Sequence, residues 1–233
     1  MNSATYIERR GELETYFDRT AADAWAKLTS DAPVSGIRAT VRAGRNAMRE
    51  TLLGWLPTDL AGRRILDAGC GAGQFSIEAA RRGADVIAID LSRTLVDLAQ
   101  ARHADEALKG SVDFRVGDMF DPALGRFDHV VAMDSLIHYG ANDIVRVLEG
   151  FAERTGRSIE FTFAPKTPLL TVMHAAGKLF PRGDRAPAIQ PVSENKIRKL
   201  VKRSELLSEW TTTRSNRIQS SFYISNAMEL TIA

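Results

Sequence analysis

Cysteine is nearly absent from this sequence: Cys70 stands alone in 233 residues. No internal disulfide is possible, and a chain of this length needs none, because it can bury a substantial apolar core without staples. Long hydrophobic runs are missing as well. Nothing approaches the roughly 20 apolar residues of a membrane span, and Met1 to Arg10 holds no apolar stretch of signal-peptide type. The expectation is a soluble protein of the reducing cytoplasm. No sign of charge dominates: 31 Lys and Arg stand against 29 Asp and Glu, which leaves no electrostatic footprint for nucleic acid. A G-x-x-x-x-G-K-[ST] loop is absent, and so is G-x-G-x-x-G, since Gln74 occupies the position its third glycine would need. No His, Cys, Asp and Glu spacing suggests a bound metal.

What is present is Asp67-Ala68-Gly69-Cys70-Gly71-Ala72-Gly73, directly after Ile65-Leu66 and directly before a helix-like run from Gln74 to Arg82. A strand, a glycine turn and a helix in that order set backbone N–H groups against a bound nucleotide. Asp67 at the strand's end would repel a pyrophosphate and suits a cationic ligand. The next β-branched run ends in Asp90, and Val112 to Met119 gives a third strand ending near Asp118. Taken singly, each of these acids reads equally well as a helix cap or turn former. In order, at strand–helix–strand spacing, they read as one site. Cys70 has no basic neighbour to activate it and fits as a small residue between glycines.

Around this stretch the pattern is regular. Strands over 63–68, 84–90, 111–117, 128–134 and 157–163 alternate with helices over 73–82, 92–108 and 141–154, which predicts a parallel sheet with right-handed crossovers and ligands outside the strands' carboxyl ends. Residues 1–60 read as two helices, one carrying Leu13, Phe17, Ala21, Ala24, Trp25 and Leu28, the other from Ile37 to Trp55, and are expected to act as a lid on a domain spanning 61–233. The pair carries Tyr16, Arg38, Arg42 and Arg45. Residues 165–192 interrupt the alternation and predict a cap at the ligand end, where insertions carry specificity; Met173 and His174 taken singly read as packing residues. Ser193 caps a basic helix to about Lys202, and Leu207–Ser215 and Ser221–Thr231 read as a final antiparallel pair joined at Asn216-Arg217.

The pattern D-x-G-x-G-x-G with an acid ending the following strand resembles the S-adenosylmethionine site of the class I methyltransferases. That resemblance implies a Rossmann-like α/β fold with a seven-stranded, mostly parallel sheet. It implies a cofactor set of Asp67, Gly69, Gly71 and Gly73 for the methionine end, Asp90 for the ribose hydroxyls with Leu91 beside it, Asp118 and Met119 for the adenine, Asp134 and Ser135 after the fourth strand, and Arg42 for the methionine carboxylate. Longer blocks resemble one family within the class, the magnesium-protoporphyrin IX O-methyltransferases of chlorophyll and bacteriochlorophyll synthesis. They are Tyr16-Phe17-Asp18, Ile37 to Arg45, Met133 to Tyr139, Phe161 to Leu169, Gly177 to Pro181 and Asp184 to Pro187. The implied reaction methylates one propionate of magnesium protoporphyrin IX, with magnesium present only as part of the substrate.

By the same resemblance His138 is the candidate catalytic or positioning residue, and His138, Tyr139, Met173, His174, Arg182 and Arg185 are candidates for holding the porphyrin. Chlorophyll-branch members carry a Tyr soon after the first helix's Trp. Here Leu28-Thr29 follow Trp25, so Tyr16 is the candidate in its place. Handover from the porphyrin-binding subunit of magnesium chelatase, at the edge of a photosynthetic membrane, is also implied. Two other readings remain at this stage: a class I methyltransferase for a different small carboxylate or quinone, which would bind no porphyrin, and a non-catalytic porphyrin carrier, which would lack cofactor affinity.

Overall fold

The computed structural model describes residues 4–19, 36–166, 188–220 and 223–232. Five strands follow the predicted alternation to within about two residues: β1 (Arg64–Ala68), β2 (Asp85–Asp90), β3 (Ser111–Val116), β4 (Phe127–Ala132) and β5 (Thr155–Phe163). With β6 (Trp210–Ser220) and β7 (Tyr223–Ile232) they form a seven-stranded sheet in the order β3-β2-β1-β4-β5-β7-β6. The pairings among β1 to β5 are parallel, and β7 runs antiparallel to both β5 and β6. The order reverses between β1 and β4, so the loops after β1 and β4 face each other across the switch point where ligands bind in open α/β sheets.

Helices α1 (Ala4–Arg19), α2 (Ile37–Trp55), α3 (Gln74–Arg81), α4 (Arg93–His103), α5 (Ala141–Ala152) and α6 (Glu194–Arg203) flank the sheet. Strands buried on both faces read as near-continuous apolar runs. One face packs Ile65, Val86, Ala88 and Val131 beneath Met48, Leu52 and Ala79 of α2 and α3; the other packs Leu66, Val130 and Ile159 beneath Ile144, Leu148 and Ile197 of α5 and α6. Ser193 caps α6 as expected, accepting from the Lys196 N–H at 3.2 Å.

Two boundaries differ from the sequence reading. The helix expected over 92–108 stops at His103, because Glu106 turns back to receive the His103 imidazole at 2.7 Å and to pair with Arg81 of α3. Asn216-Arg217 is not the hairpin turn. Both lie inside β6, where the Arg217 guanidinium donates to Asn226 Oδ1 at 3.0 Å and pairing continues to Ser220 opposite Tyr223. The residues Ala21, Ala24, Trp25 and Leu28, and most of the expected cap, lie outside the described residues. The ends of that cap are held together: the Val192 N–H donates to Ala164 O at 2.8 Å and the Lys166 N–H to Val192 O at 3.0 Å.

A carboxyl pair sits within the sheet. Glu160 of β5 lies directly opposite Glu229 of β7. Glu229 is held by the Arg214 guanidinium and by Thr213 Oγ1 at 2.5 Å, where an irregularity in β6 brings two successive side chains to one acceptor. Glu160 is fully buried and neither of its oxygens has a hydrogen-bond partner among the described residues. Burial first, and the Glu229 charge second, push its pKa well above the ordinary range, so the native state keeps a proton that the unfolded chain releases. Native stability therefore falls as pH rises above the unfolded value of about 4.3. Glu160→Gln removes this loss. Its melting temperature is expected to exceed the wild-type value by a margin that widens from pH 5 to pH 8, each 1 kcal/mol reading as about 2–4 °C for a chain of this size. A constant or negative margin would contradict a protonated Glu160.

Candidate functional site

A cavity of about 210 Å³ opens at the switch point. Its floor is the loop after β1. The Gly69 and Cys70 N–H groups donate to Ile89 O at 2.8 and 3.0 Å, which fixes the loop against the end of β2. Gly69 has φ 90°, and a Cβ there would lie 2.5 Å from Ser135 Cβ, so this turn tolerates only glycine. Gly71 faces open space and lines the cavity, whereas Gly73 begins α3 and faces the Phe114 ring. Cys70 is buried with its thiol pKa pushed up by burial, as befits a packing residue.

The acids separate into two groups. Asp67 lines the cavity, accepts from Ser76 Oγ at 2.5 Å, and is pushed up to about 7 by burial. Asp90 lines it too. Its two oxygens accept from the Gly71 N–H at 2.8 Å and the Ser92 N–H at 2.9 Å, with the Leu91 N–H as a further backbone donor, and a carboxylate's roughly four lone-pair sites still leave acceptor capacity toward the cavity. Burial raises its pKa despite those donors. Asp118 is placed otherwise: it does not line the cavity, and its oxygens accept from Tyr6 OH at 3.2 Å, Arg10 Nη1 at 2.5 Å and the Phe120 N–H at 2.9 Å. Two of these three donors come from α1, and Leu91 and Met119 supply an apolar wall to the cavity.

Helix α1 roofs the site. Tyr6, Leu13 and Phe17 line the cavity from one helical face, and Tyr6 stacks on Tyr139 with centroids 5.3 Å apart. At the other end, Asp18 receives Ser92 Oγ at 2.7 Å and the Thr94 N–H at 3.2 Å. Tyr16 does not reach the cavity; its ring lies edge-on against Phe17, one residue and about 100° further round the helix. Helix α2 contributes Arg42, Arg45, Asn46 and Arg49, a strongly basic wall.

The loop after β4 closes the far side with Asp134, Ser135, His138 and Tyr139. His138 is buried, with its ring edge-on to Phe17 at 6.4 Å, and burial pushes the Tyr139 phenol up. The Gln190 N–H donates to Ile137 O at 2.9 Å, so the C-terminal end of the expected cap is joined to the turn carrying His138. Met173, His174, Arg182 and Arg185 lie outside the described residues. Sequence reasoning missed Tyr6, Arg10, Arg49 and Tyr223. The four-residue spacing of Tyr6 and Arg10 was a signal for one shared face; Tyr223 gave none.

These residues fit a cationic nucleoside. Asp67 and Asp90 offer carboxylates, Gly71 leaves open space where a Cβ would stand, and Ser135 Oγ is buried without a hydrogen-bond partner among the described residues. Residues 65–155 match the family described as "Methyltransferase domain", and residues 132–232 match "Magnesium-protoporphyrin IX methyltransferase C-terminus". A magnesium-protoporphyrin O-methyltransferase of Rhodobacter capsulatus is 50% identical over 225 residues, 96% of this chain and 97% of the relative. Its counterpart from Synechocystis is 29% identical over 219 residues, 93% and 94% of the two chains. The crystal structure of magnesium protoporphyrin IX methyltransferase from Synechocystis PCC 6803 with bound SAH matches with a TM-score of 0.84 at 28% identity, covering 97% of this chain and all of that one. An identity of one half sustained along nearly the full length of both chains places this protein in the magnesium-protoporphyrin O-methyltransferase family.

Proposed function

We propose that this chain transfers a methyl group from S-adenosylmethionine to one propionate oxygen of magnesium protoporphyrin IX, giving the monomethyl ester and S-adenosylhomocysteine. The observation that carries this reading is one cavity with two chemically different sides: an acid- and glycine-lined floor, and an imidazole-bearing turn bonded to the root of the cap. The cofactor supplies an electrophilic methyl carbon on a sulfonium. Asp90 accepts from the ribose hydroxyls, Asp67 faces the cationic methionine end, and Arg42 meets the methionine carboxylate. Leu91 and Met119 enclose the adenine.

A propionate resembles a Glu side chain, with an ordinary pKa of about 4.3, so it is ionised at neutral pH before it binds. No base is needed to create the nucleophile. Aligning oxygen, carbon and sulfur supplies up to about 7–11 kcal/mol, against a factor of roughly 10²–10⁴ for a general base. His138 therefore orients the propionate or touches the porphyrin's magnesium, while α1 with Tyr6, Leu13 and Phe17 excludes water that would shield two opposite charges. We also propose that the porphyrin arrives from the chelatase subunit beside a membrane. Among the described residues no helix is long and apolar enough to cross one, and Lys196, Lys199, Lys202 and Arg203 form an exposed basic face on α6 suited to an anionic surface.

Labelled S-adenosylmethionine with magnesium protoporphyrin IX, and metal-free protoporphyrin in parallel, tests the reaction. Label in the magnesium porphyrin ester is expected; cofactor binding with label in neither porphyrin would overturn the acceptor. For the cofactor side, Asp90→Ala removes hydrogen bonds worth about 1–3 kcal/mol, so the Kd for S-adenosylhomocysteine by calorimetry should rise roughly 5- to 150-fold. An unchanged Kd would remove Asp90 from the site.

A further inference from the structure

Asp134 is the one non-glycine residue with positive φ among the described residues, at 56°. Such a conformation typically costs about 1–3 kcal/mol and persists only where the surroundings over-determine it. Here three elements do so. The Asp134 N–H donates to Thr162 Oγ1 of β5 at 2.7 Å, Arg45 of α2 donates to Oδ2 at 2.7 Å, and Tyr223 OH of β7 donates to Oδ1 at 3.0 Å. The reversal at Asp134 ends β4 and starts the chain toward the turn closed by the Tyr139 N–H on Leu136 O at 3.1 Å, which carries His138 into the cavity.

Tyr223 itself does not line the cavity. Its ring lies flush against Gly44, where a Cβ would come within 2.5 Å of it. Glycine inside a helix is destabilising by about 0.5–1 kcal/mol relative to Ala, so α2 gives up helix stability to rest on this ring, and the next residue is Arg45. Ring contact and hydroxyl contact thus converge on one side chain at the first position of β7. We infer that Tyr223 is a positioning residue: through Asp134 it fixes the turn that presents His138 to the acceptor and locks that turn to α2. The inference rests on the methyl-transfer reading above.

The test uses the full chain with magnesium protoporphyrin IX in rapid-quench single turnovers, alongside S-adenosylhomocysteine calorimetry and thermal melts. Tyr223→Phe keeps the ring against Gly44 and deletes only the hydroxyl. A rate loss of about tenfold or more is expected from the loosened turn, with cofactor Kd within about twofold and little change in melting temperature. Asp134→Asn keeps a residue type tolerated at positive φ and loses the Arg45 pair; it should show a comparable rate loss, and the double variant should fall well short of the product of the two losses. Asn216→Ala cuts a separate contact between β6 and α2, Asn216 Nδ2 to Thr51 Oγ1 at 3.4 Å, and should leave the rate unchanged. A wild-type rate in Tyr223→Phe overturns the inference, as does a parallel fall in rate, cofactor affinity and melting temperature, which is the signature of packing alone. Wild-type protein that fails to methylate the porphyrin would instead overturn the reaction assignment.

Discussion

His138→Ala is expected to lower the single-turnover rate of methyl transfer by about a hundredfold while leaving S-adenosylhomocysteine affinity as in the wild type. The imidazole is buried, backed by Phe17, and carried on a turn bonded to the C-terminal end of the expected cap through Ile137 and Gln190. On the proposed reaction, truncating it removes the group that fixes where the acceptor carboxylate rests, and a displacement near 1 Å can cost about 10² in rate. His138→Gln restores a hydrogen-bonding head without a titrating base and should recover part of the loss. Rapid quench at saturating substrates gives the answer. Full activity in the Ala variant would remove His138 from the acceptor side.

Asp67→Asn has effects of opposite sign on binding and on stability. Burial, opposed by the Ser76 hydroxyl, brings the Asp67 carboxyl from 3.8 to about 7. A cationic ligand favours the ionised form, so wild-type affinity for S-adenosylmethionine should strengthen as pH rises through about 7. The variant loses that dependence and, at pH 8, about 1.5–3 kcal/mol of charged hydrogen bonding, roughly a 10- to 150-fold weaker Kd. The free protein behaves in the reverse sense. Native Asp67 holds a proton that the unfolded chain loses above 3.8, so folding stability declines as pH rises from there to about 7, by roughly 4 kcal/mol in total. Asn carries no such loss, and the variant without ligand should melt several degrees above the wild type at pH 8. Calorimetry and thermal melts over pH 6–8 check both halves; lower stability together with weaker binding would mean that Asp67 is an ordinary ionised carboxylate.

The sheet and the floor of the site were legible because local pattern decides them. Buried parallel strands are apolar runs, and a loop that must turn in place and admit a ligand needs glycines at fixed offsets. Gly71 follows from that logic; Asp67 and Asp90 needed their order at successive strand ends and the resemblance to class I methyltransferases. Asp118 shows its limit: the residue stands at the expected strand end, and nothing local announces that Tyr6 and Arg10, more than a hundred residues away, donate to its oxygens. Tyr16 lies one helical step from the cavity-facing position, which Phe17 holds. Asn216-Arg217 resembles turn chemistry, yet cross-strand bonding to Asn226 carries β6 straight through it. Tyr223 sits in an apolar-looking strand whose pattern reports burial and says nothing of the Asp134 carboxylate waiting at 3.0 Å.

On the proposed reaction, this cavity works by aligning a carboxylate already ionised when it binds, with His138 as positioner and not as base. The most direct test is the solvent deuterium isotope effect on single-turnover methylation of magnesium protoporphyrin IX at saturating S-adenosylmethionine, with no proton in flight at the transition state. The expected value is close to unity. An effect well above unity, lost in His138→Gln, would contradict the account and make the imidazole a general base.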